Sequence, residues 1–281
     1  MKKKSLFLLL LVVSSVGFTQ NVLDGVYIKE HVPTRKVVPL EHLREADVAW
    51  NRRYWRVLDL NEKMNLPFKY PLSGSMKDRK NLIDVIHDAT STEGTLNAFK
   101  GESQGGDDEF TYPLTQAEVA AIGVRNDTIE VQDPTTLEMV KKAIYEPLKR
   151  DNVYQFRIKE DWFIEKQRSV MEPRIIGIAP VIKDVDENGE FRGPKVLYWI
   201  YFPEARKIFV NHEVFNRFND AERRTFDDIF MKRFFSSFII KESNVYDRRI
   251  ADYKVNTLDA LIEAQRIKDD LFNMEHDLWE Y

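Results

Sequence analysis

Apolar positions along the chain change their spacing several times, and each change predicts an element. Trp50, Tyr54 and Leu58 stand four apart in LREADVAWNRRYWRVLDLNEKMN, a spacing that predicts a helix over about 43–65, stopped by Pro67 and Pro71. Ser75, with Asp78 three residues on, reads as the N-cap of MKDRKNLIDVIHDAT, which places Leu82, Ile83 and Ile86 on one side. KGESQGGDDEF, Lys100 to Phe110, is acidic and glycine-rich and reads as an exposed flexible loop.

Thr115 and Glu118 form a capping box for a short helix ending near Gly123, and Asp127–Val131 reads as a strand. Asp133-Pro134 opens a predicted helix through TTLEMVKKAIYEPLKR, with proline at its first position. Val153 to Ile158 alternates with period two, as a half-buried strand does, and WFIEKQRSVMEPRIIGIAPVIK continues in that vein. Lys207–Asn211 suggests a further strand. Asn219 or Asp220 then caps a predicted helix to about residue 240, with Phe226, Ile229, Phe230, Phe234 and Ile240 as an apolar stripe. From about Thr257, Ala260, Ala264, Ile267, Leu271, Met274 and Leu278 alternate four and three apart, a three-heptad seam. Such a seam suits a helix docked on its own core or an intermolecular contact.

KDVDENGEFRG, Lys183 to Gly193, contains the first half of a calcium loop, Asp184 to Gly189. The twelfth loop position, where a bidentate Glu belongs, is Lys195. Both flanks, Arg174–Lys183 and Lys195–Phe202, are rich in β-branched and aromatic residues, so the run reads as the turn of a hairpin. Weak calcium binding at the acidic tip stays open as an alternative. The fold class expected is α+β: an antiparallel sheet with a long hairpin over about 153–211, packed by flanking helices. A partly irregular N-terminal region, 21–112, would join 113–281 in one unit, with a C-terminal helix closing the chain.

The first residues change the picture of where this chain works. Lys2, Lys3 and Lys4 precede the apolar run Leu6–Val13 and a small, polar stretch, the pattern of a cleavable secretory signal over 1–19, cut between 17 and 20. The run is too short to span a bilayer as a helix, and no cysteine follows it for acylation. Loss of the three lysines lowers the formal charge of −4 by three, to −7, which disfavours nucleic acid as a partner. With no cysteine at all, the exported chain relies on its core, and 43% hydrophobic residues suffice for one. The reading is a periplasmic or secreted chain without membrane insertion.

Candidate chemistry is sparse. His212-Glu213 begins a zinc-protease signature, but Asn216 stands where the second His is required. His31, His42, His87, His212 and His276 lack ligand spacing, and no phosphate loop occurs. Asp107-Asp108 and Asp227-Asp228 read as a loop pair and an ion-paired helix face. No catalytic, cofactor or metal residues are nominated. Trp50, Arg52, Arg53, Tyr54, Trp55 and Arg56 are nominated as interface residues because such types dominate hot spots; Trp50 and Tyr54 would face the core and the arginines an acidic partner. Ile267, Leu271, Met274 and Leu278 are nominated from the C-terminal seam.

The blocks WNRRYWRVLDLNEKMNLPFKYPL (50–72), DRKNLIDVI (78–86), YQFRIKEDWFIEKQRSVMEPRIIGIAP (154–180) and VLYWIYFPEARKIFVNHEVFN (196–216) resemble the GldN/PorN family of gliding-motility and type IX secretion proteins. The resemblance implies a periplasmic protein that joins a GldK/PorK outer-membrane lipoprotein in a ring, coupled through the periplasmic part of GldM/PorM to the GldL–GldM motor. It implies no catalytic residue. A different class, a periplasmic binding module for peptidoglycan with Trp199 and Tyr201 stacking on sugar rings, is the alternative; an enzyme, such as a hydrolase, ranks third.

Overall fold

The computed structural model describes residues 35–72, 79–122, 124–132, 139–146, 150–185, 190–216, 218–219 and 221–279. The proposed signal, the Ser75 and Asp133 caps, Asp220 and the hairpin tip 186–189 lie outside them. Twelve strands are described: β1 (Val48–Asp59), β2 (Ala98–Lys100), β3 (Pro113–Leu114), β4 (Arg125–Gln132), β5 (Met139–Glu146), β6 (Val153–Glu165), β7 (Val170–Val185), β8 (Phe191–Val196), β9 (Tyr198–Tyr201), β10 (Glu213–Val214), β11 (Arg224–Thr225) and β12 (Phe238–Glu242). The helices are α1 (Leu66–Lys69), α2 (Leu82–His87), α3 (Gln116–Ala121), α4 (Phe202–Phe209), α5 (Phe226–Met231), α6 (Ile250–Tyr253) and α7 (Thr257–Asp277). The fold is α+β, as the sequence implies.

An eight-stranded antiparallel sheet runs β12-β1-β6-β7-β9-β2-β3, with β8 also on β7. The sheet therefore extends well beyond 153–211. Its β1 lies where a helix is expected. Residues 50, 54 and 58 are four apart, but they are also all even-numbered, so a strand places them on one face just as well. β1 pairs with β6 from Val48↔Glu165 to Asp59↔Gln155, and the charged residues at 52 and 56 hide the alternation.

Three further expectations are corrected. Residues 139–146 form a strand, β5, paired residue by residue with β4. Lys207–Phe209 closes helix α4: Pro203 sits in the first turn, and Phe202, Ala205, Arg206 and Phe209 recur on its buried side. The segment 221–240 is not one helix. Thr225 and Asp228 form an unforeseen capping box for α5, Arg233 takes a left-handed φ of 54°, and the chain re-enters the sheet as β12. The Thr115–Glu118 box, the β6–β7 strands, the 183–193 hairpin and α7 stand as expected.

The main core lies where Leu58, Phe156, Ile158, Ile178 and Ile200 meet α2, α4 and α5. Phe230 sits among Phe68, Phe202, Phe209 and Phe235, with ring centroids 5.1–5.8 Å away. Each buried Phe contributes roughly 1.5–3 kcal/mol by leaving water. A second cluster joins Tyr54, Met171, Ile239 and Ile250 to the α7 seam.

The acidic loop 100–110 is not a free loop. Ser103 Oγ donates to Val196 O, and Gln104 Nε2 donates to Leu197 O at 2.8 Å. Phe110 has φ 61°, costly for a bulky residue, and is held between Phe99, Trp199 and Tyr201. Its ring lies on Gly177, where an added Cβ would approach Phe110 Cζ to 2.6 Å. Glycine is what allows that strand to accept the loop.

Candidate interaction surface

The run Trp50–Arg56 is engaged within the chain. Successive residues of β1 point to opposite faces, and cross-strand partners on β6 share a face. On one face Arg53 grips Asp161 with two bonds of 2.6 and 2.9 Å, and this contact raises the Arg53 pKa further. Trp55 Nε1 donates to Asp108. Lys159, paired with Trp55 across the strands, is buried; its Nζ donates to Asp108 O at 2.6 Å and lies 5.4 Å from the Phe110 ring centre. Burial pulls the Lys159 pKa down, while Asp108 opposes the change.

The other face holds Glu160, wholly buried. Arg233 Nη1 reaches its Oε2 at 2.9 Å, Arg56 Nη1 its Oε1 at 3.4 Å, and Trp162 Nε1 donates to Oε1 at 2.8 Å. Arg56 is 7% exposed and also donates to Ser237, so it is not available to a partner. Burial lowers its pKa. Arg52 faces Glu242 at 3.3 Å. Asn51, Arg53, Trp55, Asp108 and Asp161 line a polar cleft of about 390 Å³, in which Arg53 pairs with Asp161 and Lys159 with Asp108.

The seam residues nominated on α7 face the chain's own core. Ile267 is 3% and Leu271 6% exposed, and Met274 and Leu278 pack beside Trp50, Trp162 and Ile164. A partner reaches them only if α7 undocks. Outside that seam, α7 leaves Leu258, Leu261, Ile262 and Phe272 exposed, and Trp279 just past its end is exposed too, a feature that sequence reasoning passed over. Their spacing was a readable second stripe.

A cleft of about 340 Å³ opens beside the start of α7, between Val57, Arg157 and Phe238 on one side and Ile250, Leu261 and Ala264 on the other. Glu102 ties its rim: Arg157 Nη1 lies 3.2 Å from Glu102 Oε2, and Arg249 bonds the same oxygen. Burial opposes ionisation of Glu102, yet the two guanidiniums outweigh it and hold the carboxyl below its ordinary range. Burial lowers the Arg157 pKa.

Among the described residues no group of three or more His, Cys, Asp or Glu could hold a metal, and no helix is long and apolar enough to cross a membrane. Trp199 is fully buried and offers no ring face to a sugar; Tyr201 is partly exposed. Asn216, at the failed zinc position, donates to Glu222 at 2.9 Å.

A family model described as gliding motility associated protein GldN matches residues 43–280. No curated protein matches the chain.

Proposed function

The chain belongs to the GldN family of gliding motility associated proteins, and from that premise we propose that it is a non-enzymatic structural component of the type IX secretion and gliding machinery. In this reading it works in the periplasm, associated with the inner face of the outer membrane through a GldK/PorK-type lipoprotein. The two build a ring that meets the periplasmic part of a GldM/PorM-type protein and so couples to the GldL–GldM motor. The observation that carries the reading is the match over nearly all of the folded chain. The three lysines followed by Leu6–Val13 support export. The exposed apolar stripe on α7 supports a protein that binds proteins, since large apolar side chains in water mark contact surfaces.

Co-purification tests it. The exported chain, isolated with its lipoprotein partner, is expected to hold that partner through gel filtration, and His42→Ala or Glu62→Gln is expected to leave secretion working. A folded lipoprotein that never retains the chain would overturn the reading. The peptidoglycan alternative gains nothing from a buried Trp199, and the acidic tip 186–189 proposed for calcium lies outside the described residues.

A further inference from the structure

The docked seam of α7 changes size along its length. Ile267 and Leu271 fill the space beneath its middle, but the equivalent positions nearer its start are Ala260 and Ala264. Protein interiors pack as densely as organic crystals, so a volume that two alanines leave open calls for a reason. That volume is the cleft of about 340 Å³, floored by Ile239 and Ala264, which are 2% and 6% exposed, and walled by Val57, Phe238, Ile250 and Ala260. It lies at the low end of the roughly 300–1,000 Å³ usual for ligand clefts and suits a single apolar chain.

Two guanidiniums stand at this cleft. Arg157 enters from β6 and is 5% exposed, and Arg249 enters from the turn before α6. A guanidinium offers about five N–H donors, yet both arginines meet the same oxygen, Glu102 Oε2. Among the described residues no other carboxylate forms an ion pair with either. The neighbouring acids are engaged or turned away. Asp247 pairs with Lys241 at 2.6 Å, Glu263 with Lys254 at 3.6 Å, and Asp252 accepts the Arg249 backbone N–H at 2.7 Å. Asp59 accepts from Gln155 Nε2 at 3.4 Å and from the Asn61 N–H at 2.8 Å. At about 100° per residue, Asp259 points roughly 150° away from Thr257, Ala260, Leu261 and Ala264, the side of α7 that lines the cleft.

The shortage is therefore of acceptors at two guanidiniums, whatever the net charge of the surface around them. A buried cation short of partners is costly, and an arriving carboxylate can take the donors that Glu102 leaves over, in the bidentate geometry that makes such pairs strong. Apolar walls leading to that pair suit a ligand with an apolar tail and a carboxylate head.

We propose that this cleft binds a single-chain fatty acid, its tail against Val57, Phe238, Ile250 and Ala260 and its carboxylate on Arg157 and Arg249. The site uses no partner residue, so it stands or falls independently of the assembly reading above.

Titration calorimetry on the full exported chain, below the micelle concentration of each ligand, tests it. Decanoate is expected to bind one-to-one, and decanol and decyltrimethylammonium at least about tenfold more weakly. From hexanoate to decanoate, each added methylene should tighten binding about fourfold as it leaves water. Arg249→Met, at a half-buried position, and Ala251→Glu, at an exposed one lining the cleft, should each weaken decanoate at least about fivefold and leave decanol unchanged. Glu102→Gln should tighten decanoate, because both guanidiniums lose the carboxylate they share. All three variants are expected to keep the wild-type circular dichroism. Equal affinity for decanoate and decanol would mean an apolar cleft without a head-group site and would overturn the proposal. Decanoate binding that is indifferent to Arg249→Met and Glu102→Gln would place the acid elsewhere and overturn it too. So would a chain that binds none of the acids, which leaves the cleft to a protein contact or to solvent.

Discussion

Two segments of this chain carry the residue types that crowd protein interfaces, and the fold treats them in opposite ways. Strand β1 gathers Trp50, Arg53, Tyr54, Trp55 and Arg56, and each finds its partner inside the chain: Asp161 for Arg53, Asp108 for Trp55, Glu160 for Arg56. Helix α7 satisfies only one of its two apolar sides. Residue type alone therefore does not identify a contact surface; what remains exposed after the chain has satisfied itself does. Glu160 bonded by two arginines and a tryptophan acts as a rivet in the sheet, whereas Phe272 and Trp279 touch mostly water.

The sharpest way to break this contrast is to remove the rivet. Glu160→Ala leaves Arg56 buried without its acid and is expected to cost about 3–5 kcal/mol in urea unfolding. A loss below about 1 kcal/mol would mean that the cluster does not hold the sheet. Next come two neighbours on α7. Leu271→Ala should cost about 2–4 kcal/mol, because a buried side chain leaves a cavity, while Phe272→Ser should stay within about 0.5 kcal/mol. Equal effects would show that the helix is docked differently.

Arg53→Glu is expected to cost about 1 kcal/mol of the isolated chain's stability, since it opposes two carboxylates across β1 and β6. An effect confined to complexes, with the free chain unchanged, would return Arg53 to the list of partner contacts. The smallest effect concerns pH. The Glu102 carboxyl is held below its ordinary 4.5, so its contribution is present above that value and is lost as pH falls through the lower, folded value. Melting temperatures of Glu102→Gln should therefore decline less steeply than wild type between about pH 5 and 3; parallel curves would remove Glu102 from the rim of the cleft.

Much of the molecule is legible in its sequence wherever the signal is local. The capping box at Thr115, the alternation of Val153–Ile158, the hairpin around 183–193 and the seam of α7 each depend on neighbours in the chain. The failures share a cause. β1 imitates a helix because every fourth residue is also every second one twice over, and the charges at 52 and 56 are neutralised by residues more than a hundred positions away. The loop 100–110 looked floppy because its acids meet Lys159, Arg157 and Arg249, which no local pattern reveals. On α7 one stripe drew attention from the other.

Hydroxyl-radical footprinting of the chain, free and within its native envelope assembly, tests the central claim most directly. Assembly is predicted to protect Leu261, Phe272 and Trp279 while leaving the labelling of Trp50 and Trp55 unchanged. Protection of Trp50 and Trp55, with Phe272 and Trp279 labelled as strongly as in the free chain, would contradict it.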